Sequence, residues 1–217
     1  MRLQISWVTA VFQRSGKFGC DLSKQAAGLI MCGLLWTVPA FAQGRITFFD
    51  PPGSMYTASA SINAVGAITG LYYDGLGFHG FVRDARGAFT SFDPPGSIYT
   101  QPLSINAAGT ITGFCFFDAG RRAHGFVRDA QGAITLFDVP GGHDIDPVSI
   151  NEAGTVTGIY YDDRGFRGFM RDPDGAITPI DVPNALGTAP LSINAGGVIA
   201  GSYLDANYIY HGFVRQR

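Results

Sequence analysis

Four times after residue 43, the chain repeats one pattern. The pattern is Ser-Ile-Asn, an apolar run ending in glycine, an aromatic pair (Tyr203-Leu204 in the fourth copy), Gly-Phe-Val-Arg (with Met170 for Val in the third) and, in the first three copies, a closing run that ends in aspartate. The triplets begin at Ser61, Ser104, Ser149 and Ser192. A spacing of about 43 residues is typical of stacked supersecondary units. Each unit must therefore fold alike and bury its apolar face against its neighbours.

Each unit has four short β-type segments, and no helical period follows residue 43. Strand a holds the Ser-Ile pair, strand b the Ile-Thr-Gly run with the aromatic residues that follow it, strand c Gly-Phe-Val-Arg, and strand d the closing run. Asn-x-x-Gly links a to b and Asp-x-x-Gly links c to d. Both are hairpin turns in which Asn or Asp bonds the turn and Gly takes the left-handed backbone.

Four strands in a unit of this length match one blade of a β-propeller. Residues 46–50 read as a strand d without a preceding a, b or c, and the chain ends after a strand c. The sequence therefore predicts an all-β, four-bladed propeller in which residues 46–50 pair with the last blade, residues 192–215. Such pairing leaves no open sheet edge.

The first 42 residues read as a signal peptide. Four basic residues precede an apolar stretch that ends Pro39-Ala40-Phe41-Ala42, an Ala-x-Ala cleavage site. We expect residues 1–42 to be removed, residues 43–217 to form the propeller domain, and the product to be secreted or periplasmic with no membrane span. An uncleaved membrane anchor is the alternative, but the stretch is short and carries two glycines and a proline.

The charge after residue 43 excludes some partners. Eleven arginines and no lysine stand against fifteen aspartates and one glutamate, a net charge of −5 without runs of like charge. Neither nucleic acid nor an anionic membrane is expected as a partner. Cys115 is the one cysteine in this region, so no internal disulfide is possible, and we expect it to be a small buried hydrophobe.

Variation between the units is concentrated on one face of the predicted fold. The tight a–b and c–d turns lie on one face of a blade, and the b–c and d-to-a connections lie on the other. The long d-to-a segments, 50–60, 93–103, 138–148 and 181–191, differ most. A binding site is therefore expected on their face.

The order Ser-Ile-Asn-x-x-Gly-x-Ile-Thr-Gly, His-Gly-Phe-Val-Arg-Asp and Thr-x-Phe-Asp-x-Pro-Gly resembles the bacterial extracellular-repeat (HAF) family named for a His-Ala-Phe signature. The likeness covers residues 46–217. Glycine stands where the signature has alanine, and Arg167 replaces the histidine of the third unit. The resemblance implies an exported repeat protein and supplies no catalytic residues.

Two tyrosines are the preferred ligand contacts. Tyr56 and Tyr99 lie in Gly-Ser-x-Tyr-Thr within two of the long segments, where a glycine-rich loop buries an aromatic ring poorly. We expect them to contact a sugar face or a partner protein. Simple anchoring of the loop is the alternative.

A polar group stands in the third long segment alone. His143, Asp144 and Asp146 could ligate a metal or perform acid–base chemistry, and a solvated loop is the alternative. The histidines that recur before strand c (His79, His124, His211) and the aspartates that end strand d (Asp50, Asp93, Asp138, Asp181) are interpreted as structural hydrogen-bonding and turn residues. No metal site or cofactor is predicted.

These features favour an exported, non-catalytic binding or surface module whose ligand is a carbohydrate or a protein. The sequence has no Gly-x-Ser-x-Gly, His-Glu-x-x-His or glycine-rich phosphate loop. Two alternatives remain open. One is a secreted polysaccharide-active hydrolase that uses His143, Asp144 and Asp146, and the other is a haem- or metal-binding four-bladed propeller.

Overall fold

The computed structural model describes residues 44–118 and 122–216, and within them every regular element is a β-strand. The predicted leader and its cleavage site lie outside the described residues. Unit 1 contains β1 (Tyr56–Ile62), β2 (Ile68–Tyr73), β3 (Phe78–Arg83) and β4 (Phe89–Phe92). Unit 2 contains β5 (Tyr99–Ile105), β6 (Ile111–Phe116), β7 (His124–Arg128) and β8 (Ile134–Phe137). Unit 3 contains β9 (His143–Ile150), β10 (Val156–Asp162), β11 (Gly165–Arg171) and β12 (Ile177–Ile180), and unit 4 contains β13 (Gly187–Ile193), β14 (Ile199–Leu204) and β15 (Tyr210–Arg215).

Successive strands of a unit pair antiparallel, as the hairpin signals predict. The predicted set of four separate four-stranded blades is wrong in two respects. A single parallel bridge between Phe78 and Tyr99 joins units 1 and 2 into one eight-stranded sheet. Unit 3 forms a four-stranded sheet, and unit 4 has only three strands.

The predicted closure by residues 46–50 is also not present. These residues form no strand, and in the described part of the chain β15 pairs with β14 alone. The ring of Phe49 instead packs against the rings of Phe81 and Phe89 of unit 1, at centroid distances of 6.4 and 6.0 Å. A strand needs a paired backbone. Side-chain packing holds this segment while its backbone lacks a neighbour.

The tight turns are as predicted. In unit 1 the Asn63 carbonyl accepts a bond from Gly66 N at 3.0 Å, and Asn63 Oδ1 accepts one from Ala67 N at 2.9 Å. Gly66 and Gly87 have φ values of 81° and 96°, where L side chains are disfavoured. The turns therefore follow from local chemistry.

The core lies between the units. In the contact between units 1 and 2, Ile105, Ile111 and Phe126 of unit 2 are buried against Phe92 and Val82 of unit 1. Corresponding clusters join unit 2 to unit 3 and unit 3 to unit 4. Each unit thus buries its apolar face only by stacking on the next, as in other repeat proteins.

An asparagine ladder ties the a–b turns together. The side-chain nitrogen of each asparagine donates to the asparagine carbonyl of the next unit. These bonds are Asn63 to Asn106 (2.9 Å), Asn106 to Asn151 (3.0 Å) and Asn151 to Asn194 (3.2 Å). The turn asparagine therefore bonds both its own turn and the turn of the next unit. The sequence pattern predicted only the bond within its own turn.

Cys115 is buried in the core between units 1 and 2, as predicted. Burial, followed by the charges of Asp138 and Asp93, raises the pKa of its thiol to about 12. The thiol is therefore protonated at neutral pH. Within residues 44–118 and 122–216 the structure has no helix of the length and apolarity needed to cross a membrane.

Candidate functional site

The two tyrosines chosen from the sequence begin strands rather than lying in loops. Tyr56 is the first residue of β1 and pairs with Tyr73 of β2. Tyr99 is the first residue of β5 and pairs with Phe116 of β6. Backbone pairing extends each strand a beyond the predicted Ser-Ile pair. The aromatic side chains are therefore held at a strand end on the face that carries the long connections.

Phe78 brings the two tyrosines together. Its ring centroid lies 6.3 Å from that of Tyr56 and 5.2 Å from that of Tyr99. The rings of Tyr73 and Phe78 are 5.0 Å apart. On the other side, Tyr99 contacts Phe116 at 5.2 Å and is stacked on Phe114 at 6.1 Å. These distances fall within the range of favourable aromatic pairs.

The resulting surface, which we call the aromatic platform, has six rings: Tyr56, Tyr73, Phe78, Tyr99, Phe114 and Phe116. Tyr56 is 55% exposed, and the other five are half-buried. Three exposed apolar side chains, Met55, Leu76 and Ile98, lie in the connections beside it. A continuous apolar surface of this kind on a soluble protein is typical of a site that binds a ligand or partner.

The platform is held by polar contacts at its base. The Tyr99 hydroxyl donates to Gln101 Oε1 at 2.6 Å. Thr57 donates to Asp50 at 2.7 Å, and Thr100 donates to Asp93, so each tyrosine is followed by a threonine bonded to an aspartate seven residues earlier in the chain. Asp50 and Asp93 therefore act as structural hydrogen-bond acceptors. The tyrosine backbones are thereby fixed.

The third unit has polar groups where units 1 and 2 have tyrosines. His143, Asp144 and Asp146 lie on β9, a strand rather than the predicted loop. His143 Nε2 and Asp144 Oδ2 are 4.0 Å apart, and both side chains are about half exposed. Asp144 has a φ of 49° and accepts a hydrogen bond from Ala123 N. This bond links Asp144 to the residue that precedes β7 of unit 2.

Asp146 does not join that pair. The residue is partly buried, and its Oδ1 is fully buried without a hydrogen-bond partner in the described part of the chain. Burial raises the pKa of its carboxyl to about 6. A carboxyl with such a pKa is typical of acid–base sites, but the described residues place no histidine against it. The structure therefore does not assemble His143, Asp144 and Asp146 into one catalytic group.

The recurring histidines make structural hydrogen bonds, as predicted. His79 Nδ1 lies 2.6 Å from Asp93 Oδ2, and His124 Nδ1 lies 3.0 Å from Asp138 Oδ1. Burial alone would lower the pKa of His79, but its bond to Asp93 and the charge of Asp74 outweigh this and raise it. Among the described residues, no three His, Cys, Asp or Glu side chains are grouped as metal ligands would be.

Sequence reasoning missed Phe78, the centre of the platform. Its counterparts in the other units are Ala123, Phe166 and Tyr210. An aromatic residue two positions before the Gly-Phe pair of strand c in three of four units was the available signal. In unit 4 the counterpart of Tyr99 is Gly187, where a side chain would collide with the Phe166 ring. Phe166 therefore fills that space between units 3 and 4, and the platform belongs to units 1 and 2.

No protein-family model and no curated protein matches this chain. Solved structures do. TolB from Acinetobacter baumannii matches with a TM-score of 0.53 and 15% identity, over 74% of this chain and 41% of that one. A streptogramin B lyase matches at 0.43 with 17% identity over 78% and 57% of the two chains, and virginiamycin B lyase from Staphylococcus aureus matches at 0.45 with 13% identity over 79% and 60%.

The likeness to TolB shows the fold. It is of the β-propeller type, in which antiparallel sheets are stacked side by side. The chain spans about half the length of these solved structures. Their activities do not follow from a shared fold, because function resides in the site that a fold carries.

Proposed function

We propose that this protein is an exported, non-catalytic binding module whose ligand contacts the aromatic platform. The carrying observation is the unbroken run of six aromatic rings across units 1 and 2, one end of which, Tyr56, is open to solvent. Rigid aromatic side chains supply large contact areas at low entropic loss, and they are enriched in binding surfaces.

A carbohydrate is the first ligand class. The C–H face of a sugar ring packs on aromatic rings, while its hydroxyl groups need polar partners nearby. Gln101 beside Tyr99 provides such groups on the platform. His143 and Asp144, both about half exposed, provide them on unit 3.

A protein ligand is the second class, and a specific observation favours it. Met55, Leu76 and Ile98 beside the platform are exposed apolar side chains without charge. Methionine and aromatic residues are enriched at protein interfaces. The same platform would serve either ligand, so the two classes share one test.

The test is a binding screen of residues 43–217 against polysaccharides and extracellular matrix proteins, followed by titration of each hit. Tyr56→Ala should weaken binding, because Tyr56 is the exposed ring. Tyr208→Asn is the matched control, since Tyr208 is an exposed tyrosine outside the platform and asparagine tolerates its φ of 63°. Equal binding by Tyr56→Ala and the parent protein would rule out the platform as the site.

Export is part of the proposal and is tested separately. The Ala-x-Ala run at residues 40–42 predicts that the exported protein begins at Gln43. N-terminal sequencing of protein from the periplasm or medium checks this. An exported protein that retains residue 1 would contradict cleavage without bearing on the platform.

A further inference from the structure

In the described part of the chain, the sheet of unit 4 has three strands. In units 1 to 3, strand d pairs with strand c: β4 with β3, β8 with β7 and β12 with β11. β15, the strand c of unit 4, has no such neighbour in the described part of the chain. Its outer edge therefore offers free backbone donors and acceptors to another strand.

The chain carries the sequence of the missing strand at its other end. Residues 46–50 read Ile-Thr-Phe-Phe-Asp and differ from residues 134–138, which contain β8, only at the third position. In a single copy these residues pair with no strand. One free edge and one unpaired strand sequence are thus present in the same molecule.

The unpaired segment already holds the position of a strand d relative to the unit that follows it. The guanidinium carbon of Arg83 lies 4.9 Å from the centroid of Phe49. The same contact joins β4 to unit 2 and β8 to unit 3, at 4.9 Å for Arg128 over Phe92 and 5.0 Å for Arg171 over Phe137. Phe49 therefore contacts unit 1 in the same way that β4 and β8 contact the units that follow them.

The apolar end faces of the molecule complement each other. On unit 1, Ile62 is 65% exposed, whereas its counterparts Ile105, Ile150 and Ile193 are each 6% exposed beneath the preceding unit. On unit 4, Val214 is 62% exposed, whereas its counterparts Val82, Val127 and Met170 pack into the core of the following unit. The exposed face of unit 1 is the face that packs on a preceding unit elsewhere in the chain, and the exposed face of unit 4 is the face that packs on a following unit. The two end faces could therefore pack on each other.

A cleft of about 340 Å³ lies on the end of unit 1 and is lined by Phe81 and Phe89 together with Tyr72, Ser91, Pro51 and Pro52. Phe81 and Phe89 are the counterparts of Phe126 and Ile134, which belong to the same core cluster as Val82 of the preceding unit. Phe81 is already fully buried in a single copy, so the part of this surface left to receive a preceding strand c is formed by the half-buried Phe89 and the cleft beside it.

Gly212 points to the same missing neighbour. A side chain at its counterparts Gly80 and Gly125 would come within 2.8 and 2.7 Å of the strand d rings Phe92 and Phe137, so glycine is required there. At Gly212 the nearest atom would be 4.0 Å away, and nothing in a single copy requires glycine. By the same register, Gly212 would face Phe49 in the completed sheet.

We propose that a second copy of this chain supplies the missing neighbour. Residues 47–50 of one copy pair with β15 of the other as the fourth strand of unit 4. Residues 47–50 of the second copy pair in the same way with β15 of the first. The interface is head-to-tail and closes after two copies. The ring then contains eight units, within the range of about four to eight blades known for propellers.

The first measurement is the mass of residues 43–217 in solution by light scattering. A mass of two chains is expected, and a monomer at every concentration up to about 100 μM would overturn the proposal, since a stable dimer has a Kd well below that concentration. Val214→Asp should give a monomer with an unchanged circular dichroism spectrum. Leu136→Asp, an exposed leucine on β8 away from both ends, should remain a dimer.

A crosslink decides which copy provides the strand. By the register of β3 with β4, Val214 faces Thr47. In a Cys115→Ala background, Thr47→Cys protein mixed with Val214→Cys protein should form a disulfide-linked pair, and neither variant should do so alone. If the double variant gives only monomers with an internal disulfide, the chain closes on itself and the second-copy proposal is wrong.

Discussion

Phe78 and Tyr99 make two kinds of contact. Their backbones pair in parallel between β3 and β5, and their ring centroids lie 5.2 Å apart. The two residues come from different repeat units. Their contact fuses two units into one sheet and places two aromatic surfaces side by side. The candidate site is therefore a property of a junction between units.

The platform tyrosines should separate binding from stability. Tyr99→Ala removes a half-buried ring that contacts Phe78, Phe114 and Phe116, so the free energy of unfolding should fall by about 1–3 kcal/mol. Tyr56→Ala, at an exposed ring, should change it by less than about 0.5 kcal/mol. Urea unfolding measures both. Equal losses would mean that Tyr56 is structural.

The double variant Tyr56→Ala with Tyr99→Ala should weaken ligand binding by about 1–3 kcal/mol, the range for truncated aromatic contacts. Calorimetric titration measures the change. Arg86→Ala and Gln131→Ala, in the tight c–d turns on the opposite face, are the controls. If binding survives the double variant and is lost in these controls, the ligand occupies the other face.

The asparagine ladder should contribute to stability at internal positions only. Asn106→Asp keeps the acceptor for Thr110 N but removes the donor to the Asn151 carbonyl, so it should lower the free energy of unfolding by about 1–3 kcal/mol. Asn194→Asp in dilute, monomeric protein is the control, because Asn194 is exposed in a single copy and none of the described ladder bonds has its side chain as donor. Thermal unfolding compares them, and similar losses would contradict a role between units.

The glycine before each strand c phenylalanine should be intolerant of alanine wherever strand d is present. Gly125→Ala puts a methyl group against the Phe137 ring and should cost about 1–3 kcal/mol of stability. Gly212→Ala meets open space and should change stability by less than about 0.5 kcal/mol. Chemical denaturation of dilute protein provides the comparison, and a large loss for Gly212→Ala would show that strand d is already in place in the monomer.

Asp146 should make the protein less stable as the pH rises. Its folded-state pKa, about 6, lies above the value of about 3.9 for an unfolded aspartate. Its contribution is therefore complete below about pH 4 and is lost as the pH rises through 6, a change of about 1–3 kcal/mol. Asp146→Asn removes this titration, so the variant should exceed the parent in stability at pH 8. Parallel stability–pH curves for the two proteins would contradict the buried, protonated carboxyl.

Much of the local structure could be predicted from the sequence because it depends on contacts within a few residues. The turn asparagine bonds its own turn, as at Asn63 and Ala67, and the glycine of each turn takes a left-handed backbone. The repeat spacing likewise predicted β-units that stack. The likeness to TolB supports that fold.

The site and the ends of the molecule were decided by tertiary structure. Tyr56 and Tyr99 could be chosen from the sequence, but the position of Phe78 between them could not be predicted, because its contact with Tyr99 crosses between units. The role of residues 46–50 also depends on which strand lies beside them. A repeat sequence specifies how one unit packs on the next, since those contacts recur in every copy. Where the series ends, the same contacts are left unsatisfied, and only the three-dimensional arrangement of the units determines what meets them.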